Sequence, residues 1–391
     1  MKKILIVLLL SILVFSCKKE EKVIRLTIEN PSNFDRLTEL IEIPIDTIKN
    51  TIAVGDSLVY IVQDSEGNII PSQATFDRKI VFQPQLKSKE SKSFVISLGE
   101  AQEYEPKAYG RFITERKDDF AWENDRVAFR IYGPALIEID GPSNGIDAWY
   151  KRTNNLIIDK WYKDDLAGKV SYHNDNGEGL DDYKVGRSLG AGAMAPYVGN
   201  KLWLNENFAE QELLDNGPLR TTFKLIYKDL DVNGQKIAES RTISLDAGSQ
   251  LSKVIQAYTV KEPLQVAAGL AKRESNDSII VDSNKEYIIY AEPKTNKAEG
   301  IFLAMVFPTT FTNSIVDTYE YTNPKNNKTD VYSHVLAITT QQPKIPVTYY
   351  TGYGWTKFGF ATLADFEKYV QQFSQSLKEP LIINYQTKQN K

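Results

Sequence analysis

One cysteine, Cys17, occurs in the 391 residues of this chain, and that count constrains the fold more than any other feature. No intrachain disulfide, cysteine-rich zinc site or second thiol can staple the structure. The fold must therefore be held by its apolar core. A hydrophobic fraction of 42% over this length is ordinary for a globular protein and allows one large core or two moderate ones. The net charge is −4 with both signs interspersed, so there is no basic face for nucleic acid.

The position of Cys17 also carries information. Lys2 and Lys3 precede an apolar run from Ile4 to Phe15, which has the form of a secretory signal and is too short to span a bilayer. Val14-Phe15-Ser16-Cys17 resembles the lipobox of bacterial lipoproteins. This predicts a signal peptide over 1–16, lipidation at Cys17 and a tether over 17–22. Lys18-Lys19-Glu20-Glu21 is similar to the tag of outer-membrane lipoproteins of Bacteroidetes, or is a plain solvated tether. The expected location is the outer membrane through a lipid anchor, its face left open.

Beyond the tether the pattern is mostly that of strands. Ile24–Ile28 and Ser93–Leu98 alternate apolar and polar residues, with turn chemistry at Asp64–Asn68, predicting a small β-sandwich over 23–100. Val127, Phe129 and Ile131 fall on one face of a strand, with Arg130 and Tyr132 on the other. Phe223–Tyr227 and Ile237–Leu245 read as a hairpin with Asn233-Gly234 as its turn. Leu363, Phe366, Val370, Phe373 and Leu377 recur at helical spacing behind Thr362 and Asp365, and Pro380 stops them, predicting a helix over 362–378. Leu381–Tyr385 reads as a last strand. The expected fold is mainly β: a large β-sandwich over 101–391, a mutarotase-like super-sandwich being one form of it, with the smaller N-terminal sandwich and one C-terminal amphipathic helix.

Four segments are dense in polar, aromatic and glycine residues. In the first, eight of the twelve residues from Glu115 to Arg126 are charged, with Phe120 and Trp122 between them. This fits a cleft wall or a surface ion-pair network. The second, Tyr172 to Gly192, holds His173, one of only two histidines (the other is His334), and carries Lys184 and Arg187 in a glycine-rich loop. Asp175, Glu178, Asp181 and Asp182 offer a calcium alternative, though their spacing matches no EF-hand; no cofactor is expected. The third, Asp215 to Arg220, presents Arg220 at a strand start, for a substrate or for a structural ion pair. The fourth, Tyr349 to Phe360, interleaves glycine with aromatics including Tyr353 and Trp355, as a stacking platform for sugar or a strand packed under the helix.

Glu115–Asn124, Gly177–Asp181, Asn216–Arg220 and Gly354–Gly359 together resemble the DUF4861 family of Bacteroidetes polysaccharide-utilisation loci, and within it the dehydratases that act on ulvan oligosaccharides in marine flavobacteria. The resemblance implies elimination of water from a glucuronic or iduronic acid at the non-reducing end of a sulfated-rhamnose oligosaccharide. It also implies a downstream unsaturated-glycuronyl hydrolase as functional partner. Such chemistry needs a base at C5, an acid at O4 and cations for the uronate. His173 is the expected base and Tyr172 the expected acid, with Tyr172 as the alternative base beside an arginine. Arg116, Asn124, Trp122, Lys184, Arg187, Arg220, Tyr353 and Trp355 are the expected substrate contacts. Glycoside hydrolase, polysaccharide lyase and non-catalytic glycan-binding lipoprotein are the competing expectations.

Overall fold

The computed structural model describes residues 22–53, 58–273, 275–295 and 297–386. The expected signal peptide and Cys17 lie outside them.

Alternation in Ile24–Glu29 buries Ile24, Leu26 and Ile28, and that face builds the N-terminal sandwich. Five strands run in the order Ile382–Gln386, Ile24–Glu29, Ser91–Gly99, Val59–Gln63, Ile69–Ile70, and three in the order Ile41–Pro44, Lys79–Phe82, Ser72–Ala74. Leu26, Phe94 and Ile96 from one sheet share a core with Ile43, Ile80 and Phe82 from the other. Leu26 stands opposite Phe94 on one side and opposite Tyr385 on the other, so the last strand of the described residues joins the N-terminal sheet and not, as expected, the body over 101–391.

The larger body is organised on an eight-stranded sheet. Its order is Glu210–Asn216, Arg220–Ile226, Glu239–Asp246, Leu251–Tyr258, Val347–Trp355, Ile301–Val306, Tyr287–Ala291, Ser278–Val281. One face meets a five-stranded sheet (Gly179–Leu180, Asp147–Lys151, Ala128–Ile131, Asp119–Asn124, Ala108–Ile113) and a four-stranded one (Ala191–Pro196, Leu264–Lys272, Thr329–Gln341, Asn313–Thr322). Trp122, Phe129, Phe223 and Tyr353 lie in the shared core. Phe120 stacks on Phe223 across the layers at 3.9 Å between ring centroids. The mainly β expectation holds.

The opposite face of the eight-stranded sheet is covered by the helix Leu363–Lys378, whose Phe366 and Val370 pack on Leu251, Ile289 and Phe302. The strand beneath has no side chain at Gly354, where a Cβ would come within 2.4 Å of the Phe366 ring. Thr362 Oγ1 accepts from the Asp365 backbone N–H (3.2 Å) while the Asp365 carboxylate accepts from the Thr362 N–H (2.9 Å). Removing this reciprocal cap by Thr362→Ala is expected to cost about 1 kcal/mol, seen as a lower urea midpoint with unchanged slope.

Two local expectations are corrected. Asn233-Gly234 does turn with positive φ at both residues, but it closes a separate ribbon, Leu230–Val232 with Gln235–Ile237, that projects from the hairpin of Arg220–Ile226 and Glu239–Asp246. A second substantial helix, Ile158–Leu166, covers the outer face of the five-stranded sheet and packs Trp161 and Tyr162 onto Trp149. Its first backbone N–H groups, those of Ile157 and Ile158, donate to Glu123 Oε1 (2.7 and 2.8 Å), and Glu123 Oε2 accepts from Lys151 Nζ at 2.7 Å. The charge-dense segment is thus neither a cleft wall nor a surface network along Asp119–Asn124. It is a fully buried strand whose acids anchor other elements.

Candidate functional site

The outer face of the five-stranded sheet is not solvent-facing. Arg130 leaves that face and is enclosed by aromatic rings, with its guanidinium carbon 4.7 Å from the Tyr132 ring centroid, 4.9 Å from that of Trp149 and 6.0 Å from that of Tyr172. Its Nε and Nη2 donate to Asp147 Oδ2 (3.0 and 2.6 Å), and Nη2 also donates to Asp181 Oδ2 at 2.9 Å. The Tyr132 hydroxyl donates to the same Asp147 oxygen at 3.2 Å. One buried cation thus bridges two buried carboxylates.

Four polar atoms of this cluster are buried without a protein partner: Arg130 Nη1, Asp147 Oδ1, Trp149 Nε1 and the Tyr162 hydroxyl. Buried polar groups are ordinarily paired, so their concentration in one place marks a built polar site rather than a packing core. Arg116 stands nearby and is paired with Asp119 (2.6 Å), its side chain 22% exposed. It is close enough to Arg130 for the two guanidiniums to repel, and both act on the Tyr162 hydroxyl.

His173 sits at the rim. Its side chain is 53% exposed and Nδ1 lies 3.6 Å from Asp181 Oδ2, with the ring 4.6 Å from buried Tyr172. Nδ1 is also 3.1 Å from the Asp181 carbonyl oxygen. A carbonyl only accepts, so that contact assigns the neutral ring's proton to Nδ1 and leaves the Nε2 lone pair available as a base. The adjoining Asp181 carboxylate can stabilise the imidazolium formed when Nε2 takes a proton.

Burial, and then the Asp181 carboxylate across the guanidinium, push Asp147 above the usual carboxylate range. The folded protein therefore binds this proton more tightly than the unfolded chain. The group costs no stability below the ordinary Asp value, and its penalty grows as pH rises through the folded one. Asp147→Asn is expected to flatten the fall of the urea midpoint with pH between about 4 and 7.

A surface cleft of about 310 Å³ adjoins the rim, lined by Asp182, Lys184, Arg273, Glu292 and Lys297. Lys297 Nζ donates to the His173 carbonyl at 3.0 Å, and Thr295 Oγ1 donates to Asp182 Oδ2 at 3.1 Å. Exposed Lys184 is thus placed beside the His173 loop.

Other expected contacts are committed to the scaffold. Trp122 is fully buried and donates to Ser252. Asn124 donates to the carbonyls of Asp246 and Ser249 and accepts from the N–H groups of Arg126 and Val127, leaving it nothing to offer an enolate. Arg187 is spent on the carbonyls of Asn205 and Leu204, and Arg220 on Asp246 and Glu42. The Tyr353 hydroxyl donates to the Trp149 carbonyl, and buried Trp355 donates to the Glu299 carbonyl. Tyr353 and Trp355 therefore belong to a strand in the core, not to a sugar platform. The acids weighed for calcium disperse: Asp175 pairs with Arg152, Glu178 with Lys160, Asp181 with Arg130, and Asp182 takes Thr295. Among the described residues no three acidic, histidine or cysteine groups gather as a ligand set.

His334 is buried and accepts the Leu189 N–H on Nε2 at 3.0 Å. Burial, then Arg273, pull its pKa down to about 3, so it stays neutral inside the core. Arg130, Asp147, Trp149 and Tyr162 were not among the expected site residues. The usable signal was an arginine alternating with core residues in a strand.

Fold and site together define a two-sandwich β protein with a polar and aromatic cluster around a buried arginine. The chain belongs to the family described as a domain of unknown function, DUF4861, whose model matches residues 28–383. "Uncharacterized protein P7" of Formosa agariphila is 31% identical over 400 residues, spanning 95% of this chain and 96% of that protein. Among solved structures, an alpha-mannosidase from Enterococcus faecalis V583 superposes with a TM-score of 0.45 at 7% identity over 94% of this chain and 46% of that one. A glycosyl hydrolase family 38 protein from Enterococcus faecalis gives 0.41 at 8% identity over 94% and 48%. This chain spans about half the length of those two, and scores at this level carry no conclusion about its activity.

Proposed function

We propose that this chain is an oligosaccharide dehydratase that eliminates water from a glucuronic or iduronic acid at the non-reducing end, with sulfated-rhamnose oligosaccharides of ulvan as substrates. The observation that carries this reading is the juxtaposition of an exposed imidazole, its Nδ1 proton held by the Asp181 carbonyl, with a phenol and the partly exposed Arg116. In the reaction His173 Nε2 takes the C5 proton. The C5–H electrons form the C4=C5 double bond as the C4–O4 bond breaks, and O4 leaves as water with a proton from the Tyr172 hydroxyl. Arg116, which bonds Asp119 through Nη1, turns its other donors to the uronate carboxylate and neutralises the charge that builds there, which lowers the barrier to C5 deprotonation, while buried Arg130 holds Asp181 in place behind His173. The imidazolium and the phenolate then exchange protons with solvent to reset the site.

Lys184, Arg273 and Lys297 beside the rim favour an anionic neighbouring sugar. The lipobox-like Val14–Cys17 supports a lipid-anchored outer-membrane protein. A 4,5-unsaturated uronyl product is the substrate an unsaturated-glycuronyl hydrolase requires, which makes such an enzyme the functional partner in this reading. The carboxylate dependence is testable by comparing a uronate-ended oligosaccharide with the same molecule after carboxyl reduction. Turnover is expected for the first and none for the second; equal turnover of both would remove the role given to Arg116.

A further inference from the structure

A second surface cavity, of about 260 Å³, lies where the N-terminal sandwich, the outer face of the eight-stranded sheet and the C-terminal helix meet. Its charged wall is already balanced. Arg36 donates through Nε to Glu39 and through Nη1 to the Glu379 carbonyl, both at 2.6 Å. Arg220 holds Asp246 through Nε at 2.6 Å and Glu42 through Nη1 at 2.6 Å. Carboxylates outnumber cations on the wall by four to three, so an anion entering here would meet guanidiniums that are already paired and a surplus of negative charge.

Four aromatic side chains, Phe34, Tyr350, Tyr369 and Phe373, stand on the same wall among aliphatic and hydroxyl residues. Tyr350 and Phe373 meet edge to face at 5.0 Å, and Tyr369 lies 6.1 Å beyond Phe373. Carboxylate oxygens retain lone pairs after one ion pair, Lys253 supplies further donors, and aromatic rings pack against the C–H face of a pyranose. We infer that this junction cavity is a second carbohydrate site that takes a neutral sugar residue, independent of the acid–base cluster. The two places lie on opposite outer faces of the larger body. Leu251 and Phe373 belong to the core between the C-terminal helix and the eight-stranded sheet, whereas Trp149 and Tyr172 belong to the core beside Ile158–Leu166. One short oligosaccharide cannot occupy both. Because the cavity is bounded by the segment from Phe34 to Glu42 and by the larger body, a bound sugar would also brace the junction between the two sandwiches.

Saturation-transfer NMR on the purified chain tests this with the methyl glycosides of glucose, galactose and mannose, and with methyl glucuronide as the anionic control. At least one neutral glycoside is expected to bind. Ser244→Tyr, which fills the cavity from the sheet side, and Phe373→Leu, which removes the ring but keeps an apolar side chain, are each expected to weaken that binding about tenfold or more. His173→Ala is expected to leave it unchanged, which separates this site from the proposed catalytic one. Absence of transfer to all three neutral glycosides would overturn the inference. Binding undiminished in both cavity variants, or methyl glucuronide binding there in preference, would do the same.

Discussion

Arg130→Ala is expected to lower the free energy of unfolding by about 3–5 kcal/mol, because it strands the buried carboxylates of Asp147 and Asp181 without their shared cation. The tyrosines and tryptophan around the guanidinium cannot compensate, since they supply dipoles and ring faces rather than a positive charge. Arg130→Lys is expected to recover only part of the loss, because a single ammonium cannot reproduce the planar fork that spans the two carboxylates. Adding Asp147→Asn to Arg130→Ala replaces one of the stranded carboxyl groups with a neutral amide and is expected to restore part of the stability. Urea unfolding at neutral pH measures all three. A loss for Arg130→Ala within the range of an exposed ion pair, under about 1 kcal/mol, would mean that the acids are not held as charged partners.

His173→Ala is expected to reduce turnover of a uronate-ended oligosaccharide by about 10²–10⁴-fold, the range a positioned general base contributes, while leaving the melting temperature unchanged. The second half follows from place: the imidazole stands at the rim, 53% exposed, and removing it opens no core cavity. His334 cannot substitute, since its Nε2 is occupied by the Leu189 N–H inside the core. Asp181→Asn separates orientation from basicity, because it keeps the backbone carbonyl that fixes the Nδ1 proton but removes the charge that stabilises imidazolium. Its turnover is expected to fall between those of wild type and His173→Ala. Wild-type turnover in His173→Ala, with the protein folded, would pass the base role to a tyrosine of the cluster.

Much of this was legible in the sequence. Strand alternation at Ile24–Ile28 and the capped helix after Thr362 rest on local rules of side-chain spacing and backbone hydrogen bonding, and both appear where those rules place them. His173, Tyr172 and Arg116 do come together, although 56 residues separate Arg116 from Tyr172. The failures share one cause. Val127, Phe129 and Ile131 mark one face of their strand as core, and alternation alone says nothing of what covers the opposite face that carries Arg130. The helix Ile158–Leu166 covers that face, and no local pattern around Arg130 reveals a cover some thirty positions away. In the same way Trp122, Asn124, Tyr353 and Trp355 carry polar groups that satisfy distant backbone rather than ligand. Composition alone does not distinguish those two uses.

The most direct test of the central claim is the product formed when the purified chain meets a uronate-ended ulvan oligosaccharide, followed by mass and by the ultraviolet absorbance of the conjugated uronate. The account predicts loss of one water, new absorbance and no change in the number of sugar residues. Shortened products would identify a hydrolase or a chain-cleaving lyase, and substrate returned intact would identify a binding protein; either result contradicts the dehydratase.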